Sequence, residues 1–149
     1  MSLPYPFVLH MYARRIDTHL AAVYKYGASV SSGCHSNKPK RGKAGGKPRA
    51  GYWGTGSSEC DSPQRLIETT LDWLSSNWQR RSSAEQDGFD YIIWTGDSAR
   101  HDLDSDHPRT RDEIYQHNRW TLAQIQRSFP GVAIVPSIGN NDIVSLQMA

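Results

Sequence analysis

Apolar positions return at helical spacing in two stretches and run together in two others. Leu66 and Ile67 are followed by Leu71, Leu74 and Trp78 at steps of four, three and four from Ile67, the mark of one buried face on an α-helix. Asp61-Ser62-Pro63 stands just ahead of them as an N-cap signal with proline near the first turn, so a helix is expected from there to about Arg81. Residues 89–95 are aromatic and β-branched without clean alternation, which predicts a strand buried on both faces. Thr110 and Glu113 have the spacing of a capping box, and Ile114, Leu122, Ile125 and Phe129 carry a second helix to a stop at Pro130-Gly131. Residues 132–137 then read as the next strand. The order helix, strand, helix, strand predicts an α/β chain whose parallel strands are joined by a right-handed crossover.

The remainder is irregular, without an internal repeat. Residues 29–58 are rich in Ser, Gly, Lys and Pro with no sustained apolar period and read as one long loop. The run Lys38-Pro39-Lys40-Arg41-Gly42-Lys43-Ala44-Gly45-Gly46-Lys47-Pro48-Arg49 lies inside it. It has no interleaved aromatics to stack bases, so it suits an electrostatic clamp for a linear polyanion, with Lys40, Arg41 and Lys43 as substrate contacts, or else a solvated loop. The aromatics Tyr52, Trp53, Trp73, Trp78, Trp94 and Trp120 are expected to pack in the core.

Composition narrows the classes. A chain of 149 residues can build one domain with a core, and no stretch approaches the ~20 apolar residues of a membrane span. A net charge of +2 makes no case for a specific nucleic-acid partner. The N-terminus lacks a basic n-region, so no targeting signal is legible there. Two cysteines allow one disulfide but fix no compartment.

Chemistry concentrates after the two strands. Gly96-Asp97-Ser98-Ala99-Arg100-His101 follows the first and Gly139-Asn140-Asn141-Asp142 follows the second, where open α/β sheets place their sites. Carboxylate, amide oxygen and imidazole are donors suited to divalent metals held over a phosphate. A carboxylate that bridges two cations ~4 Å apart lets the pair activate a water and clamp phosphoryl oxygens.

These clusters, with Tyr24-Lys25-Tyr26-Gly27-Ala28-Ser29, Glu59-Cys60-Asp61-Ser62-Pro63 and Pro108-Arg109-Thr110, resemble the calcineurin-like metallophosphoesterases. Within that superfamily the closer likeness is to fungal endopolyphosphatases of the acid-sphingomyelinase-like branch. The resemblance runs from about Ile16 to Ile143. It implies an α/β fold that is part of a metallophosphoesterase sandwich, and two divalent ions of Mn, Mg, Zn or Co. It implies metal ligands Asp17, His19, Asp97 and Asn140, with Asp97 as the bridge. His101 would stand near the leaving group. Asn141 takes the place of a catalytic histidine and would hydrogen-bond phosphate, Asp142 would orient the turn, and Arg100 would join Lys40, Arg41 and Lys43 on the substrate. Cys34 and Cys60 would be paired. The implied substrate is inorganic polyphosphate, or another phosphate ester, cleaved at internal bonds in a vacuole.

Departures from the family pattern are concentrated at the ends. Residues 1–15 diverge, and Ala13-Arg14-Arg15-Ile16 replaces the apolar strand that should precede Asp17-Thr18-His19. Asp17 and His19 are therefore either the first metal's ligands or polar positions on a surface helix over residues 18–24, with residues 7–11 as an alternative first strand. No histidine follows His117, so the later family histidines have no counterpart. The expectation is an N-terminal part of such a domain, its C-terminal half absent and its own activity weak or nil. A sphingomyelinase-like phosphodiesterase and a non-catalytic polyanion-binding fragment are the alternatives.

Overall fold

A computed structural model describes residues 18–37, 48–78, 89, 91–102 and 107–143. Asp17, Lys40, Arg41, Lys43 and the alternative strand over residues 7–11 lie outside the described residues. Four main elements follow in chain order: α1 (Gln64–Trp78), β1 (Tyr91–Trp94), α2 (Arg111–Ser128) and β2 (Ala133–Pro136). The strands pair in parallel, Tyr91 opposite Ala133 and Trp94 opposite Pro136, with α2 as the crossover. The expected order is therefore observed.

Local chemistry accounts for the ends of α2. Thr110 is extended and its Oγ1 accepts from the Glu113 N–H at 3.1 Å, satisfying a donor the first turn leaves open. Phe129 N–H closes onto the Ile125 carbonyl, and Gly131 follows with a φ of 78° that a side chain would strain.

Burial follows the periodicity. Leu20, Ile67, Leu71, Ile125 and Phe129 form one cluster, with Leu74, Ile92, Trp94, Trp120 and Ile134 packed against it. Both helices therefore cover the face of the sheet that carries Ile92, Trp94 and Ile134. Among the described residues nothing covers the other face, where Tyr91, Ile93 and Val135 are each about half exposed. The expectation of a strand buried on both faces is corrected: β1 alternates, because among the described residues helices cover only one side. A second correction concerns the aromatics, since Tyr52, Trp53 and Trp73 are exposed. Tyr52 carries Arg65 4.2 Å from its ring centroid and meets Trp53 edge-on.

A smaller cluster of Ala21, Tyr24, Ala28, Cys34 and Ala50 anchors the loop region. Cys34 and Cys60 are bonded there, with Cα atoms 5.6 Å apart, as the resemblance implied. Val30–Ser32 forms a short 3-10 turn beside them.

Candidate metal centre at the strand ends

Three short extended segments lie side by side beyond β1. His19 N–H donates to the Asp97 carbonyl at 3.0 Å and Leu20 N–H to the Ser98 carbonyl at 2.9 Å. On the other side, Ser62 N–H donates to the His19 carbonyl and Ala21 N–H to the Ser62 carbonyl. Leu20 thus bridges in parallel to both Ala99 and Ser62. The helix considered for residues 18–24 does not form. Leu20, 2% exposed, enters the core and its backbone joins the ladder, so tertiary pairing overrides the local choice. This arrangement brings His19, Asp61 and His101 into one neighbourhood.

The two strand-end clusters interlock. Gly96 and Asp97 both adopt positive φ, 82° and 53°, turning the chain back at the end of β1. A Cβ on Gly96 would collide with the backbone of Ile138 and Gly139, and one on Gly139 would fall inside the Asp97 carboxylate. Both positions therefore need glycine for close approach. Asp97 is 5% exposed, and its Oδ1 accepts from the Asn141 backbone N–H at 2.7 Å and from Asn141 Nδ2 at 3.4 Å. Asp142 answers from the opposite turn. Its Oδ2 accepts from the N–H groups of Asp97 and Gly139, and its Oδ1 from Ser98 N–H and Asn118 Nδ2.

The histidines are held by different acceptors. His19 Nδ1 lies 3.3 Å from the Ala99 carbonyl, which can only accept, so that nitrogen carries the proton and Nε2 is left as a metal-ligating atom. His101 stacks on it, ring centroids 4.1 Å apart and planes 23° from parallel. Its Nδ1 is 2.7 Å from Asp61 Oδ1, while its backbone N–H donates to Asp61 Oδ2 at 2.9 Å. His19, Asp61 and His101 can each offer a ligand atom, all within 4.8 Å of one another, so the group could hold a metal ion. The donor types at residues 19, 97 and 140 also suit a divalent ion: an imidazole whose Nδ1 is fixed by the Ala99 carbonyl, a carboxylate, and the amide of Asn140, which is exposed.

Other expected site residues sit differently. Arg100, expected on the substrate, is 2% exposed and locked into Glu113 through two bonds, Nε to Oε1 at 2.6 Å and Nη2 to Oε2 at 3.0 Å. A planar guanidinium matched to a carboxylate is a strong pair, and here it ties the Asp97 loop to α2. Asn141 is buried, its Nδ2 toward Asp97 and its Oδ1 3.4 Å from Arg109 Nη1, which also donates to the carbonyls of Asn141 and Arg100. Burial pushes the Glu113 carboxyl up, but the Arg100 guanidinium overcomes this and leaves it below its usual 4.5. Burial pushes His117 below its usual 6.5, against the pull of Glu113 beside it.

Asp61 is the site residue that sequence reasoning missed. It was expected to cap α1, yet its carboxylate holds His101, and only a shared motif with the paired Cys60 marked it out. Arg109 was visible as part of Pro108-Arg109-Thr110, but nothing in that string assigns its bonds.

No family model matches the chain. It is 38% identical over 152 residues to the endopolyphosphatase of Cryptococcus neoformans and 39% identical over 137 to that of Candida glabrata. Against the endopolyphosphatase of Schizosaccharomyces pombe it is 40% identical over 129 residues. Each match covers 85% of this chain but only 19–22% of the relative's length.

Proposed function

We propose, on the premise that the chain belongs to the fungal endopolyphosphatase family over the segment they share, that its strand-end site is part of a metal-dependent hydrolase centre for polyphosphate. One observation carries the reading: the Asp97 carboxylate is seated inside the Gly139–Asp142 turn, at the ends of adjacent parallel strands, in a chain 38–40% identical to proteins named for that activity. Asp17, His19, Asp97 and Asn140 would hold the divalent ions, of Mn, Mg, Zn or Co. Bound there, such ions supply Lewis acidity toward phosphoryl oxygens and make a neighbouring water more acidic.

The chain's own groups perform the rest. His101, 42% exposed at its side chain and packed on His19, would act in its doubly protonated form, giving the Nε2 proton to the departing phosphate oxygen and returning to the neutral Nδ1–H ring, which takes its next proton from water. The Asn141 N–H and amide hold the Asp97 carboxylate, so Asn141 acts on the reaction through that residue as well as by any contact to phosphate. Lys40, Arg41 and Lys43, with the rest of their basic run, would gather a linear polyanion. Arg100 has no part in that cradle, since Glu113 occupies its guanidinium. The fold would be one portion of the sandwich built by the superfamily, residues 29–58 forming its long loop. The vacuolar setting implied by the resemblance is part of the same proposal, and the Cys34–Cys60 bond fits an oxidising lumen.

Because the chain spans about a fifth of its relatives, the direct test exchanges it for the matching segment of the Candida glabrata enzyme. Gel electrophoresis would follow the shortening of long-chain polyphosphate with Mn²⁺ present. The exchanged enzyme should cut, Asp97→Asn should abolish cutting, and the 149-residue chain alone should cut weakly or not at all. Cutting that survives Asp97→Asn would remove the proposal.

A further inference from the structure

Nothing in the fold of α1 requires an aspartate at position 61. Among the described residues, the bonds of its carboxylate go to His101 alone, one oxygen to the backbone N–H at 2.9 Å and the other to Nδ1 at 2.7 Å. Clamping one residue at two points fixes both where it sits and how its ring is turned. Asp61 is itself rigidly placed: Cys60 beside it is bonded to Cys34, and Ser62 after it is in the ladder with residues 19 and 21. The side chain of Asp61 is 9% exposed and that of His101 is 42% exposed, so the clamp is shielded while the ring edge reaches solvent.

An ionised carboxylate only accepts hydrogen bonds. The nitrogen facing it must therefore carry hydrogen, and in the neutral ring the lone pair is on Nε2. The stacked His19 ring closes one face of the imidazole, leaving the Nε2 edge as the outlet.

We infer that Asp61 is a positioning residue that holds His101 as the Nδ1–H tautomer with Nε2 turned outward. The inference deepens the reading of His101 as the group at the leaving oxygen and rests on it. Asp61 touches no substrate; it decides which nitrogen of His101 does. An Nε2–H neutral ring would present its lone pair to Asp61, placing two acceptors 2.7 Å apart, which the geometry rejects.

The test is the tautomer itself. With histidine nitrogens labelled in the 149-residue chain, long-range nitrogen–proton spectra separate the six rings, and His101→Gln identifies the resonance by its loss. Wild type should show His101 as Nδ1–H. Asp61→Ala should lower the ratio of Nδ1–H to Nε2–H by about tenfold or more, the worth of a hydrogen bond to a charged acceptor. Asp61→Asn keeps one accepting oxygen for two His101 donors and should give a ratio between those of wild type and Asp61→Ala, a graded response that a merely structural role would not require. An Nε2–H ring in wild type, or an unchanged ratio in Asp61→Ala, would overturn the inference. In the exchanged enzyme, His101→Gln and Asp61→Ala should each lower kcat by about 10²-fold with KM unchanged, and the double variant should be no slower than either. If His101→Gln leaves kcat intact, the leaving-group reading falls, and Asp61's part in the reaction with it. If His101→Gln lowers kcat while the tautomer ignores Asp61, only the present inference falls.

Discussion

Asp142 Oδ2 accepts from the backbone N–H of Asp97 at 2.7 Å, across 45 residues of sequence. The same carboxylate takes the N–H groups of Gly139 and Ser98 and the amide of Asn118. One side chain therefore fixes both strand-end turns and ties them to α2. Asp142→Ala should leave partly buried donors without partners and lower the unfolding free energy by about 3 kcal/mol, measured by urea denaturation. Asp142→Asn, which can accept on only one side, should fall between. A loss below about 0.5 kcal/mol for the alanine variant would mean that the turns are held by something else.

Gly139→Ala tests the close approach of the turns. Its methyl would fall inside the Asp97 carboxylate, which is itself hydrogen-bonded and cannot swing away cheaply. We expect a cost of about 1–3 kcal/mol and altered amide resonances for Asp97 and Asn141. Gly131→Ala has open space around its Cβ and meets only the strain of positive φ, so it should shift resonances near α2's end alone.

Acid should weaken the fold in two windows. Glu113 sits below 4.5 in the folded chain, so the unfolded chain takes up its proton first as pH falls. The stability it contributes is whole above pH 4.5 and is lost as pH drops through the folded value. His117 sits below 6.5, and again the unfolded chain protonates first. Its window opens at pH 6.5 and runs downward to its folded value. Urea midpoints should fall steadily on acidification, and His117→Gln should flatten the upper window only. A midpoint that rises on going from neutral pH to about pH 5 would contradict the His117 assignment, and one that rises below pH 4.5 would contradict that of Glu113.

Reduction of Cys34–Cys60 should cost about 3 kcal/mol, since the bond closes a separation of 26 residues. Because Cys60 adjoins Asp61, the His101 ring resonances should broaden in the reduced chain. Unfolding curves with and without reductant, read beside those resonances, give both numbers in one series.

Much of this was legible where the signal is local. The periodicities of α1 and α2 and the Thr110 cap found their elements because one buried face and one open donor leave a direct trace in sequence. The unequal faces of β1 left none, because an exposed Ile93 and a partly buried Ile92 are the same residue type and only the placement of the helices separates them. Asp61 misled for a related reason. Asp-Ser-Pro before a helical period is what a cap looks like, and the rival partner, His101, is 40 residues away. Arg100 likewise reads as a free cation until its fork is seen on Glu113.

Calorimetric titration of the 149-residue chain with Mn²⁺ decides whether the divalent ions proposed here sit on Asp97 and His19. Asp97→Asn is the right variant, since an amide oxygen still accepts from the Asn141 N–H and the turn keeps its shape while the charge is gone. Wild type should bind weakly and saturably, with binding lost in Asp97→Asn and in His19→Gln and retained in Asp61→Asn. Binding that persists in Asp97→Asn but disappears in Asp61→Asn would place the ion among His19, Asp61 and His101 and remove Asp97 from the metal site.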